Sequence, residues 1–222
     1  MKGSGLFGGT FNPIHVGHLR VAEDVRTGFG LEKIVFIPSA IPPHKTVMGL
    51  ADARARYAMI VEALSSYPDF VASDVEIHRQ GPSYTIDTVT YFQKHLPGSV
   101  PCYLIVGMDA FLEITTWKSW QNLFDLIPFI VMTRPMGADA SHTDPLAEME
   151  NYIHTQVDNG YGYSPQQNCF MHQTKHPIYL KLVTPIDISS SAIRDRIRLG
   201  RSIQGLVPDG VDDYIKHKGL YK

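Results

Sequence analysis

At 222 residues the chain holds enough material for one substantial core, so a single domain over 1–222 is expected. Hydrophobic residues make up 44% of it, yet no run of about 18 apolar residues exists to span a bilayer, so a globular protein with no membrane partner is expected. The 20 Lys and Arg against 22 Asp and Glu leave a net charge of -2, which removes any whole-chain electrostatic case for nucleic acid and makes any phosphate site a local one. Cys102 and Cys169 fall in no CxxC or finger-like spacing, and the first twenty residues lack a continuous apolar core; cytoplasmic residence without a disulfide framework or structural zinc is expected.

An apolar run at residues 4–8 predicts a first strand. Directly behind it, Gly8-Gly9-Thr10-Phe11-Asn12-Pro13-Ile14-His15-Val16-Gly17-His18 packs glycines, a proline and two histidines in front of a helix predicted over 17–27, which carries Leu19, Ala22 and Val25 at three-residue steps. A parallel α/β sheet opens its ligand crevice at such a junction. Glycine lets backbone approach a ligand closely, and imidazoles near a helix start meet phosphate oxygens, so the expected ligand is a nucleotide. His15 and His18, three residues apart, are candidates to donate to a triphosphate; the bland alternative is a pair of capping or half-buried histidines, and a zinc site lacks a third ligand nearby.

A second strand over 33–37 leads to Pro42-Pro43-His44-Lys45, where two prolines stiffen a loop that presents His44 and Lys45 as a basic lid. Next come a helix over 52–65, with Tyr57, Ile60, Val61 and Leu64 on one side, and a third strand over 70–77. Gly81-Pro82-Ser83-Tyr84-Thr85-Ile86-Asp87-Thr88 then enters a helix over 85–96 with Ser83 or Thr85 as its cap; the amides at that helix mouth and the Thr85 hydroxyl suit a carboxylate. A fourth strand over 102–106 runs into Gly107-Met108-Asp109, which places Asp109 to accept ribose hydroxyls. Trp117, after Thr116, offers a flat face to an aromatic ring or else fills the core.

Beyond a fifth strand over 127–132 the chain turns polar, and residues 137–177 read as an insertion in which Leu146, Met149 and Ile153 support a short helix and 158–163 a turn. A sixth strand over 178–183 precedes Ile188-Ser189-Ser190-Ser191-Ala192-Ile193-Arg194, with Ser190 the predicted N-cap of a helix over 190–199 that stops at Gly200. A cation such as Arg194 beside the positive end of a helix costs stability unless an anion sits between them, which points to phosphate; Arg198 and Arg201 read as solvated. The alternation of strands with helices predicts an α/β fold of Rossmann-like, doubly wound type, a mostly parallel sheet with helices on both faces.

In this order the motifs resemble the nucleotidyltransferase superfamily with its GxFxPxHxGH and ISSTxIR signatures, and within it the bacterial nicotinate-nucleotide adenylyltransferases. The likeness runs from Gly9–His18 through Pro42–Lys45, Gly81–Thr88, Val106–Asp109, Thr116-Trp117, Arg134-Pro135 and Ile188–Arg194 to Gly219-Leu220-Tyr221. It implies adenylyl transfer from ATP to nicotinate mononucleotide, giving deamido-NAD and pyrophosphate in NAD biosynthesis, with no covalent enzyme intermediate. It implies His15, His18 and Arg194 as catalytic groups, with Gly8, Gly9, Thr10, Phe11, Lys45, Gly107, Asp109, Ile188 and Ser190 also binding ATP. His44, Tyr84, Thr85, Trp117 and Arg134 fall to the mononucleotide, and Mg2+ comes with ATP rather than in a carboxylate cage. The chain departs from the pattern in having Asn12 where many relatives carry aspartate, Ser191 for the frequent threonine, and a longer polar insertion. Neighbouring readings are an adenylyltransferase for nicotinamide mononucleotide or phosphopantetheine, and a protein that senses ATP without turning it over; a homo-oligomer stays open.

Overall fold

A computed structural model describes residues 3–43, 49–96, 100–133, 144–184 and 186–222. Its elements are β1 (Ser4–Gly9), α1 (Val16–Phe29), β2 (Lys33–Pro38), α2 (Ala53–Leu64), β3 (Phe70–Ala72), α3 (Val75–His78), α4 (Thr85–His95), β4 (Cys102–Gly107) and α5 (Met108–Phe111). They continue with α6 (Trp120–Leu126), β5 (Phe129–Thr133), α7 (Pro145–Tyr152), β6 (Gly162–Ser164), β7 (Cys169–Met171), β8 (Ile178–Leu182), α8 (Ser190–Arg198) and α9 (Asp209–Lys218). Hydrogen-bonded strand order is β3-β2-β1-β4-β5-β8-β7-β6. Pairing is parallel for β2 with β3, β4 with β5 and β5 with β8, and antiparallel where β7 meets β6 and β8, so the sheet is mostly parallel as the alternation predicts. Among the described residues no helix is long and apolar enough to cross a membrane.

The chain divides into two compact units, Phe7–Ser83 with Ile186–Lys222, and Met1–Leu6 with Tyr84–Pro185, so that β1 contributes a half to each. In the first unit α1 buries Gly17, Leu19, Ala22 and Val25, the predicted stripe, and ends where Gly30 turns left-handed at φ 60, the conformation glycine adopts without steric cost. Phe7, Phe11, Phe36 and Phe70 form an aromatic core, Phe7 lying 5.3 Å from Phe36 and Phe36 5.3 Å from Phe70 between centroids. Asp52 caps α2 by accepting the Arg54 and Ala55 N–H groups. The buried face of α2 is Arg56, Met59, Ile60, Ala63 and Leu64; of the predicted stripe Ile60 and Leu64 are buried, whereas Val61 is 45% exposed and Tyr57 half-buried. The stripe is displaced because an arginine occupies a core position, and an arginine is not counted among the apolar residues from which a period is read. α9, which its sparse hydrophobes did not announce, packs on α2 through a face that buries Val211 and Ile215.

The predicted third strand is cut short as well. Strand pairing ends at Ala72, and the Asp74 carbonyl accepts the N–H groups of Ile77 and His78, which closes the turn of α3 instead of continuing a ladder.

In the second unit β4, β5 and β8 lie in register through Val106, Val131 and Leu180, and Phe111, Phe124 and Phe129 pack together, the last two stacked at 4.8 Å. The polar stretch contributes to this core. Its described part, from residue 144, holds α7, a π-helical turn Ile153–Val157 and the β6–β7 hairpin, and it buries Met149, Ile153, Tyr161, Cys169 and Phe170. The short helix that Leu146, Met149 and Ile153 predict is present as α7, whereas Tyr161, Cys169 and Phe170 carry no readable period; full burial of a Met, Ile or Phe is worth roughly 1.5–3 kcal/mol.

Candidate active site

β1 runs out into bare backbone. Gly8 is exposed, and a Cβ there would meet nothing within 4 Å, whereas a Cβ on Gly9 would fall 2.9 Å from the Phe11 ring. Phe11 takes φ 47, a left-handed conformation that costs a residue with a Cβ roughly 1–2 kcal/mol, and its buried ring meets Phe7 edge-on at 5.6 Å and His18 at 5.0 Å. The Asn12–Pro13 peptide is cis. His15, extended at φ -146, is the N-cap of α1, and its ring stacks on His18 with centroids 3.7 Å apart. Gly17 makes that stack fit, because a Cβ there would lie 2.9 Å from Nδ1 of His15. The His15 backbone N–H donates to Nδ1 of His18 at 3.3 Å, so neutral His18 carries its proton on Nε2 and is a donor through that nitrogen.

The entrance of α8 meets this loop. Ser190 Oγ donates to the Pro13 carbonyl at 2.9 Å, and Arg194 Nη1 donates to the Asn12 carbonyl at 2.8 Å, contacts that close 177 and 182 positions of sequence. Ser190 is not the N-cap. Ser189 is extended at φ -129 and accepts the Ala192 N–H at 3.1 Å, while Ser190 is already helical and its hydroxyl is turned to the loop. Arg194 also donates to Ser191 Oγ at 3.2 Å, and Ile188 is half-buried. Arg198 and Arg201 are exposed, Arg198 pairing with Asp195 at 2.8 Å.

Behind the loop lies a group that the sequence did not reveal. Arg56 is 0% exposed, and its guanidinium donates to three carbonyls: Ala51 at 2.9 Å, Thr10 at 2.7 Å and Ala40 at 3.3 Å. Burial lowers its pKa, opposed by Tyr221, Asp52 and Glu76, and a guanidinium is so strong a base that it stays a cation. A trans peptide points its C=O and N–H in opposite directions, so holding the Thr10 carbonyl toward Arg56 aims the Phe11 N–H away from it. Asn12 is buried beside this cation. Its Oδ1 accepts from Ala51 N at 3.0 Å and from the Tyr221 hydroxyl at 2.8 Å, and its Nδ2 donates to the Gly49 carbonyl at 2.9 Å. The signal for Arg56 was its phase, three, four, seven and eight positions before Met59, Ile60, Ala63 and Leu64.

In the second unit α4 begins at Thr85 with Tyr84 in the N-cap position and no side-chain cap. The expectation that Ser83 or Thr85 caps it therefore does not hold. Ser83, in the first unit, instead accepts the Ala40 and Ile41 N–H groups at 2.9 and 3.3 Å, and Thr85 is inside the helix. Lys118 reaches toward the start of this helix, its Nζ 3.3 Å from Asp87 Oδ2 and 4.5 Å from the Tyr84 ring centroid. Trp117 follows the 3-10 turn Ile114–Thr116 and is half-buried, so it is not an inner core residue. At the carboxyl end of β4, Asp109 is exposed and folds back over Gly107, where a Cβ would stand 2.5 Å from Asp109 Oδ1. His44, Lys45 and Arg134 lie outside the described residues.

A family model described as cytidylyltransferase-like matches residues 6–196. The chain belongs to that family. Within it, proteins named probable nicotinate-nucleotide adenylyltransferase from Desulfatibacillum aliphaticivorans and Trichlorobacter lovleyi are 42% and 39% identical to this chain, each match covering 98% of both partners. The fold also superposes on a solved Plasmodium falciparum nicotinic acid mononucleotide adenylyltransferase complexed with NaAD, with a TM-score of 0.72 over 100% of this chain and 98% of that one at 18% identity. Membership of the cytidylyltransferase-like family accords with where the unusual residues of the first unit gather, at the carboxyl end of β1 and at the entrance of α8, as ligand crevices do in open α/β sheets.

Proposed function

We propose that this protein transfers the adenylyl group of ATP to nicotinate mononucleotide, forming deamido-NAD and releasing pyrophosphate. The observation that carries the reading is the meeting of the stacked His15–His18 pair with Ser190 and Arg194 on one glycine-rich turn. A phosphate oxygen of the mononucleotide attacks the α-phosphorus of ATP, that bond forms as the bond from the α-phosphorus to the bridging oxygen breaks, and pyrophosphate leaves with the electron pair. The nucleophile is already anionic, so the protein's task is alignment and charge stabilisation. Nε2–H of His18, the His15 imidazole and the Arg194 guanidinium supply donors and positive charge to the triphosphate; buried Arg56 adds positive potential from behind the turn. Gly8 leaves room for the nucleotide to lie on backbone, Ile188 flanks it, and Gly107 with Asp109 takes the ribose.

Tyr84, Thr85 and Trp117 receive the nicotinate half, and the Lys118 ammonium beside Tyr84 suits a carboxylate there. Lys45 and His44 act over the phosphates, and Arg134 on the mononucleotide. Magnesium enters as part of the ATP substrate, held by phosphate oxygens and water. The reaction takes place in the cytoplasm, a reading that the two free cysteines, Cys102 and Cys169, support.

Pyrophosphate release tests the reading, measured with ATP plus nicotinate mononucleotide, nicotinamide mononucleotide or phosphopantetheine in turn. The acid is expected to exceed the others in kcat/KM by at least about tenfold, or 1.4 kcal/mol. Equal or inverted preference refutes the acid assignment, and tight ATP binding with no pyrophosphate from any acceptor refutes catalysis.

A further inference from the structure

Asn12 joins the site to a residue far away in sequence. α9 ends at Gly219, left-handed at φ 60, with the Gly219 and Leu220 N–H groups donating back to Lys216 and Ile215 at 3.2 and 3.1 Å. That cap turns the chain so that Tyr221 returns to the glycine-rich turn, where its hydroxyl donates to Asn12 Oδ1 at 2.8 Å across 209 positions. Tyr221 itself takes φ 66, a region that residues with a Cβ avoid and keep only when their surroundings hold them there. Burial pushes its hydroxyl pKa upward against the pull of Arg56 and Arg194, so it stays protonated and remains a donor.

We infer that Tyr221 is a positioning residue for ATP: through Asn12, its hydroxyl sets the place of the turn and of the Arg194 guanidinium that the turn holds. Three contacts fix the Asn12 amide, to Tyr221, Ala51 and Gly49, and its own carbonyl takes the Arg194 donor. The amide has one orientation that satisfies all of them, oxygen toward two donors and nitrogen toward a carbonyl. Removing the tyrosine hydroxyl leaves Oδ1 with one partner and lets the Asn12 side chain turn, and the carbonyl that seats Arg194 moves with it. Small displacements of a charged donor are felt by the substrate it meets. The inference rests on the proposed role of Arg194 at the triphosphate, and it goes beyond that role by naming what positions it.

The experiment compares the full chain with Tyr221→Phe, which keeps the ring and removes only the hydroxyl, with Asn12→Ala, and with the double variant. ATP affinity is measured by titration calorimetry, KM for each substrate by pyrophosphate release, and thermal stability by melting. Tyr221→Phe is expected to raise the Kd and KM for ATP roughly fivefold to tenfold and to leave KM for nicotinate mononucleotide unchanged. In the Asn12→Ala background the same change is expected to have no further effect on ATP, because the hydroxyl acts through Asn12. Unchanged ATP affinity in Tyr221→Phe, a loss shared equally by both substrates, or an undiminished effect in the Asn12→Ala background overturns the inference. A chain that binds ATP but releases no pyrophosphate overturns the catalytic reading, and the calorimetric comparison then decides this one.

Discussion

Gly17 stands between the two histidines, and replacing it with alanine sets two magnitudes against each other. Alanine in the first turn of α1 is favoured over glycine by about 0.5–1 kcal/mol of helix propensity, so by that count alone the variant is more stable. The new Cβ, however, would lie 2.9 Å from Nδ1 and 3.0 Å from Cε1 of His15, where ordinary contact begins at 3.4 Å, so the ring must recede by roughly 0.5 Å. Its retreat is blocked on one side by His18, stacked at 3.7 Å, and the ring of His18 is in turn met by Phe11. Misplacing a reacting group by about 1 Å costs near 100-fold, so a shift of this size is expected to lower kcat/KM about 10- to 100-fold, or roughly 1.4–2.7 kcal/mol. Melting should change little, because propensity and crowding offset one another to within about 1 kcal/mol, or roughly 2–4 °C for a chain of this length. Pyrophosphate release and a thermal melt on the same preparation separate the two effects. A Gly17→Ala protein with undiminished turnover would show that the seat of the His15 ring is immaterial to the reaction.

Gly107→Ala is a sharper probe of Asp109, since φ -74 suits alanine and the perturbation is confined to the carboxylate that the new Cβ would crowd at 2.5 Å. KM for ATP is expected to rise several-fold, by about 1 kcal/mol for a displaced hydrogen bond, and an unchanged KM removes Asp109 from the ribose. In the second unit, the Lys175 ammonium at 2.8 Å and the Gly160 N–H at 2.9 Å hold the Asp158 carboxyl below its ordinary 3.8. A depressed carboxylate pKa adds stability above the unfolded value and loses it as pH falls through 3.8 toward the folded value. Asp158→Asn is accordingly expected to lower Tm near pH 7 by about 2–4 °C or less, the effect of a partly exposed pair, with the gap narrowing below pH 3.8. A gap that stays constant down to the lowest pH at which both proteins melt cooperatively contradicts the assignment.

The features legible along the chain are local ones. The stripe Leu19, Ala22 and Val25, the parallel strands and the histidine pair follow from periodicity and from residues a few positions apart, and the structure keeps them. Ser190 was legible as part of the site but not in its role, because a run of three serines does not say which of them is extended enough to cap and which is free to reach Pro13. Arg56, the Asn12 amide and Tyr221 were decided only by tertiary structure. Each satisfies backbone or side-chain groups dozens to hundreds of positions away, and a carbonyl that requires a donor leaves no trace in the sequence around that donor. Folding brings residues far apart in sequence together, which is why a fully buried arginine stands behind the glycine-rich turn.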